Sequence, residues 1–266
     1  MAIIPAVLDA PGPQVSYAYV MALSDERGIV YVFDFVKNKY LARNFRFWSL
    51  ARTGVSASCM QFNSVRRREL IVCLSDSNMH CYNIDSCQLV AKLPMCHHNP
   101  PRNLSIHPTR PLALSTSSSE SVLWDTEKWE RIRVLTGTNG AGMQQASFSP
   151  DGICIIAAFT DGNIFFWTIE SFSLLWKINL TLLANPSTES MQELSDTLQA
   201  TRINHFCISS SGEYFAYGGI SSKIHVWNLF EKRLVHEILI PLFNGTFIIQ
   251  VNFLGTTNVL YRSSDL

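Results

Sequence analysis

The chain is short of charge. Lysine and arginine number 21, aspartate and glutamate also 21, and charged residues make up 16% of the 266 positions, against about 25% in ordinary globular chains. The formal net charge is zero, whereas a protein that tracks nucleic acid through its phosphates needs a basic surplus. No nucleic-acid partner is therefore expected. The one basic cluster, Arg66-Arg67-Arg68, is followed at once by Glu69 and reads as a solvated turn between strands. No stretch of about 18 apolar residues occurs, so no membrane span is expected. The N-terminus lacks the basic region and long apolar core of a signal peptide. The seven cysteines are odd in number, irregularly spaced and without a Cys-x-x-Cys pair. Buried free thiols in a reducing cytosol fit them best, which gives a cytoplasmic expectation.

Catalytic signatures are missing as well. Gly-x-Ser-x-Gly, His-Glu-x-x-His and the phosphate-cradling Gly-x-x-x-x-Gly-Lys-Ser/Thr do not occur. Thr136–Gly142 is glycine-rich, but it has no lysine and leads into a strand. It offers no helix N-terminus to a phosphate. Cys96-His97-His98 with His107 carries zinc-binding side chains. Pro100 and Pro101 place the first three on a loop while His107 ends a strand, so a loop histidine pair plus a structural histidine is expected. No enzyme activity, cofactor or metal is anticipated.

What the chain does have is a recurring phrase: an alternating apolar strand that ends in an aromatic followed by Asp, Asn or Thr. The copies end at Phe33-Asp34, Tyr82-Asn83, Trp124-Asp125, Trp167-Thr168 and Trp227-Asn228, with steps of 49, 42, 43 and 60 residues between aromatics. A strand-like period near forty predicts an all-β fold of propeller type. The fourth copy shows the unit in full. Ala146–Ser149 is a strand, Pro150-Asp151-Gly152 a tight turn, and Ile153–Phe159 an apolar run suited to a strand buried on both faces. Thr160–Asn163 turns the chain, Ile164–Trp167 follows, and Leu174–Ile178 can form an outer strand. Four antiparallel strands make one blade.

On these residues the chain resembles the WD40-repeat family. The Trp-Asp dipeptide is intact only at Trp124-Asp125, and the family's Gly-His dipeptide is absent. His98, which follows His97 rather than Gly, is the nearest candidate for that histidine, and the hydrogen-bond network joining it to the Trp is in question here. In detail the chain is similar to family members that carry a TBC domain after the propeller, as in Tyr31-Val32-Phe33-Asp34, Leu70–Asp76 and the Gly218-Gly219 blade with His225 and Trp227. That resemblance implies a non-catalytic protein-interaction scaffold: a cytoplasmic adaptor at centrosomes, centriolar satellites and the ciliary base, with centriolar or ciliary proteins as partners. It also implies an alternative, the propeller portion of a Rab GTPase-activating protein. The Ile-x-x-Asp-x-x-Arg and Tyr-x-Gln motifs of that chemistry do not occur here. An RNA-processing propeller is a third reading, opposed by the neutral charge.

The expected organisation is an irregular segment over 1–16 and an incomplete propeller over 17–266, with about four full blades and two partial ones. A seven-bladed ring needs about 300 residues, so a fragment, a short isoform or an incomplete gene is the expectation. Residues 181–202 interrupt the repeat. Met191, Leu194 and Leu198 would share one face of a short helix there, a candidate partner-docking element.

Overall fold

The computed structural model describes residues 6–7, 20–24, 29–34, 38–46, 54–137, 140–180, 203–220, 223–241, 247–254 and 258–264. The chain is all-β in its described elements and forms two compact units, Met1–Leu135 and Thr136–Leu266.

The first unit holds three antiparallel sheets. Blade 1 is β1 (Ala6–Val7), β2 (Val20–Ser24), β3 (Ile29–Asp34) and β4 (Lys39–Arg46). The two described residues of its first strand lie within the 1–16 segment that the sequence reading left irregular. Blade 2 is β5 (Ala57–Phe62), β6 (Glu69–Leu74), β7 (Met79–Asn83) and β8 (Gln88–Leu93). Blade 3 is β9 (Asn103–Ile106), β10 (Leu112–Thr116), β11 (Glu120–Asp125) and β12 (Glu130–Thr136). The second unit holds blade 4, with β13 (Met143–Phe148), β14 (Cys154–Phe159), β15 (Asn163–Thr168) and β16 (Leu174–Asn179). Blade 5 has β17 (Ile203–Ile208), β18 (Tyr214–Gly219), β19 (Lys223–Asn228) and β20 (Arg233–Leu239). A two-stranded sheet follows, β21 (Ile248–Leu254) with β22 (Asn258–Ser263).

Burial explains the sequence pattern. In β6 every residue is buried, because its two faces feed two different cores. Leu70, Val72 and Leu74 pack with Val20, Ala22, Val30 and Val32 of blade 1. Ile71 and Cys73 pack with Leu104, Ile106, Ala113, Val122 and Trp124 of blade 3. A strand sandwiched this way has no water-facing side, so it reads as a continuous apolar run. The outermost strands β8, β12 and β20 are largely exposed and read as mixed polar. In the second unit, Ile156, Ala158, Ile164 and Phe166 meet Phe206, Phe215, Tyr217 and Trp227 between blades 4 and 5. Ala216, Ile224 and Val226 meet Ile248 and Val251 beyond blade 5.

Side chains on first strands also stitch blades together. Gln145 of β13 donates from Nε2 to the Phe206 carbonyl (3.0 Å) and accepts the Phe206 amide at Oε1 (2.8 Å). Asn204 of β17 donates to the Ile248 carbonyl at 3.0 Å, and Ser64 donates to the His107 carbonyl. Each such bond satisfies a buried backbone group that no sheet ladder reaches.

Candidate functional site

The repeat positions play one structural role in several chemical versions. In blades 1, 2, 4 and 5 the pairing of the third and fourth strands slips next to the aromatic, between Val32 and Phe33, Cys81 and Tyr82, Phe166 and Trp167, and Val226 and Trp227. A bulge of this kind turns the chain and re-aims side chains. The following residue then caps the turn. Asn83 Oδ1 accepts the amides of Asp85 and Ser86, both at 3.0 Å. Asp125 Oδ1 accepts those of Glu127 (2.8 Å) and Lys128 (3.0 Å), and Asn228 Oδ1 those of Phe230 (2.9 Å) and Glu231 (3.0 Å). Thr168 accepts the Ser173 amide at 3.2 Å, and Asp34 is buried. Four residues after each of these five positions the backbone turns left-handed, at Asn38, Cys87, Trp129, Phe172 and Lys232, with φ between 47° and 57°.

The aromatics sit in equivalent places where a blade precedes them within the same unit. Tyr82 joins the core shared with blade 1, Trp124 the core shared with blade 2, and Trp227 the core shared with blade 4. Trp167 stacks on Phe165, with centroids 5.3 Å apart. Phe33 packs edge-on to Tyr40 at 5.2 Å.

One blade carries a buried polar relay. Trp124 Nε1 donates to Ser115 Oγ at 2.8 Å, and that oxygen lies 2.6 Å from His97 Nε2. His97 Nδ1 faces Glu120 Oε1 at 3.3 Å, off the ideal hydrogen-bond line. Burial drives the His97 pKa down to about 4, with the Glu120 carboxylate opposing that shift, so the ring is neutral at pH 7. A consistent relay then runs from Trp124 to Ser115, from the Ser115 hydroxyl to Nε2, and from Nδ1–H toward Glu120. The sequence pointed to His98 for this role and put the relay in question. The structure gives the role to His97, while His98 lends only its backbone amide to Glu120, at 3.4 Å. Sequence reading missed Ser115 and Glu120. Their signal is register, since Ser115 lies two residues beyond Ala113, the partner of Trp124. The equivalent positions are Val72, Ala157 and Tyr217; the first two carry no hydroxyl, and Tyr217 sets its phenol against Trp227 with no serine between. Blade 2 substitutes a contact between Tyr82 Oη and His80 Nδ1 at 2.8 Å.

The relay sits beneath the segment 94–102 and helps to fix it. The Met95 amide donates to Asn78 Oδ1 (2.9 Å), the Cys96 amide to the Ser77 carbonyl (2.9 Å) and the Arg102 amide to the Thr116 carbonyl (2.7 Å). Asn99 Nδ2 donates to Ser119 Oγ at 3.4 Å. The sulfur and imidazoles considered for a metal are aimed at separate partners: Cys96 Sγ at the Ser77 carbonyl, His97 at the relay, and His107 Nδ1 at the amides of Thr109 and Arg110. Among the described residues no three His, Cys, Asp or Glu side chains cluster as a metal would require. Arg66 and Arg68 pair with Glu69 and Asp85 on the surface. No described helix is long and apolar enough to cross a membrane. Met191, Leu194 and Leu198 lie outside the described residues.

Comparison with known proteins agrees with this geometry. The family model "WD domain, G-beta repeat" matches residues 129–168. TBC1 domain family member 31 from Xenopus tropicalis is 31% identical over 238 residues, which cover 88% of this chain and 20% of that protein. The Oryzias latipes protein of the same name is 30% identical over 217 residues, or 82% and 18%. Cilia- and flagella-associated protein 251 from Mus musculus is 23% identical over 167 residues, or 62% and 12%. This chain thus spans about a fifth of the length of the TBC1 relatives. A chain in the crystal structure of the mitotic checkpoint complex superimposes with a TM-score of 0.63 at 17% identity, covering 94% of this chain and 71% of its own length. That likeness is one of fold.

Proposed function

Because this chain is a WD40-repeat β-propeller chain, similar to the WD40 region of TBC1 domain family member 31, we propose that it acts as a docking scaffold for other proteins and performs no chemistry of its own. The observation that carries this reading is the construction of segment 94–102. It is an irregular surface segment held by a buried relay and by backbone bonds to two blades. Irregular segments on rigid sheets are where recognition concentrates, and a pre-ordered one loses little entropy on binding.

The finer reading is a cytoplasmic adaptor at centrosomes, centriolar satellites and the ciliary base, acting in cilium assembly. It is supported by the resemblance to TBC-domain members and by a relative whose name associates it with cilia and flagella. The insertion 181–202, with Met191, Leu194 and Leu198, is a second docking element on this reading. Proximity labelling with the chain fused to a biotin ligase tests it. Enrichment of centriolar or ciliary proteins is the expected result; enrichment of ribonucleoproteins would overturn it.

A further inference from the structure

The first strands of blades 2, 4 and 5, and of the two-stranded sheet, carry an extra residue near their start. The pairing slips between Ala57 and Cys59, Met143 and Gln145, Ile203 and His205, and Ile248 and Gln250. In blade 3 Asn103 pairs with Thr116 just as Cys59 pairs with Cys73, so Arg102 is the counterpart of Ser58. Bulged residues leave the alternation of the strand and are aimed elsewhere. In the second unit one of them serves the fold: Asn204 donates to the Ile248 carbonyl.

In the first unit Ser58, in the bulge of blade 2, and Arg102, just before the first strand of blade 3, open into one cleft. It holds about 310 Å³ and is lined by Ser58, Asn99, Pro100, Pro101, Arg102 and Ser118. Ser58 Oγ is buried there with no hydrogen-bond partner. A buried hydroxyl left unpaired costs about 1–3 kcal/mol. Arg102 is exposed, and among the described residues nothing pairs with its guanidinium. No carboxylate lines the cleft. Its wall is two proline rings, and its floor is held by the relay beneath.

We propose that this cleft is a subsite for a glutamate or aspartate side chain of an extended peptide from a partner protein. A guanidinium presents two parallel N–H donors that match a carboxylate, and the Ser58 hydroxyl supplies a further donor. The single cation matches the single charge of a carboxylate, whereas a phosphoryl group at close to two charges calls for more. The proline rings give an extended backbone an apolar surface without an entropy cost of their own. This inference rests on the scaffold reading and gives it a chemical preference.

The test uses the whole chain and two libraries of short capped peptides that differ only in a fixed central residue, glutamate in one and glutamine in the other. Binding is read by fluorescence anisotropy at two salt concentrations. Members of the glutamate library should bind, and their glutamine twins should bind roughly tenfold or more weakly, as loss of a charge-assisted bidentate contact implies. Arg102→Ala should abolish the difference between the libraries and Arg102→Lys should restore part of it. Since Arg102 is exposed and its guanidinium makes no hydrogen bond or ion pair among the described residues, the thermal midpoint of the variants should stay put, which separates loss of the site from loss of fold. Equal binding of the two libraries, or binding of neither, overturns the assignment, as does tighter binding of a phosphoserine library. If the chain still enriches partner proteins in cells under those outcomes, the scaffold reading survives and only the cleft is wrong.

Discussion

Replacing Ser115 with alanine tests the buried relay directly. Ser115 is fully buried, Trp124 is 3% exposed, and the His97 side chain is wholly inaccessible. The substitution removes one oxygen and strands two groups, Trp124 Nε1 and His97 Nε2, which the structure gives no other partner. Each unpaired buried polar group costs about 1–3 kcal/mol, so the expected destabilisation is about 2–4 kcal/mol. Trp124→Phe strands nothing, because Ser115 keeps His97, and it loses one hydrogen bond plus part of a ring. Combining the two should be less damaging than the sum, since the second change removes a group the first has orphaned. The expected coupling is about 1–2 kcal/mol in that sense. Urea denaturation followed by far-ultraviolet circular dichroism measures it, with each transition fitted separately because the chain forms two compact units. Trp227→Phe is the comparison, because its indole lies outside the Ser115–His97 relay; it should show no coupling to Ser115→Ala. A cost for Ser115→Ala below about 0.5 kcal/mol, or strict additivity with Trp124→Phe, would refute the relay as a stabilising unit.

Three further outcomes follow from the coordinates. A Cβ on Gly218 would stand 2.7 Å from Ile248 Cγ2 and 3.0 Å from Val251 Cγ2, so Gly218→Ala should cost about 1–3 kcal/mol by overpacking. Adding Ile248→Leu, which removes the offending branch, should recover part of it in the same denaturation assay. Cys87 is exposed at φ 57°, and Cys87→Asn should raise the thermal midpoint by relieving about 0.5–1 kcal/mol of left-handed strain at a position asparagine tolerates. His97 and His205 both have pKa values lowered to about 4, chiefly by burial, from 6.5. A base whose folded pKa is depressed contributes stability above its unfolded pKa and loses it as pH falls toward the folded value. Stability should therefore decline between pH 6.5 and 4, by about 2 kcal/mol at pH 5 for His97 alone. Urea midpoints at pH 7 and 5 check this, and a His205→Gln variant should show the shallower decline.

The fold was legible in the sequence because its punctuation is local. A cap such as Asn83 or Asp125 binds amides two and three residues ahead, and a side chain that close in sequence acts whatever surrounds it. The apolar run of β6 was equally readable, since burial on both faces leaves no polar position to interrupt it. The relay was not. Whether His97 or His98 points inward depends on how an irregular segment crosses the blade, and period-two reasoning has no purchase there. Ser58 escaped for a related reason, since one extra residue at the start of a strand breaks the alternation on which facing is inferred, and Arg102 lies in the irregular segment before its strand.

The degenerate dipeptides follow from the same division between local and distant bonds. In blades 2 to 5 the second residue of the pair caps a turn in its own blade, and asparagine performs that task as well as aspartate does. The aromatic packs against the preceding blade where the unit supplies one, and tyrosine can fill that space as Tyr82 does. The two tasks share no atoms, so each can vary without the other. The relay is different, because it needs a hydroxyl at position 115, an indole at 124 and an imidazole at 97 together. Only blade 3 retains all three among the described residues, and it is also the blade whose intact Trp-Asp pair stands out in the sequence. The segment over that relay is therefore held by bonds that no other blade repeats among the described residues, and its position depends on all three groups together.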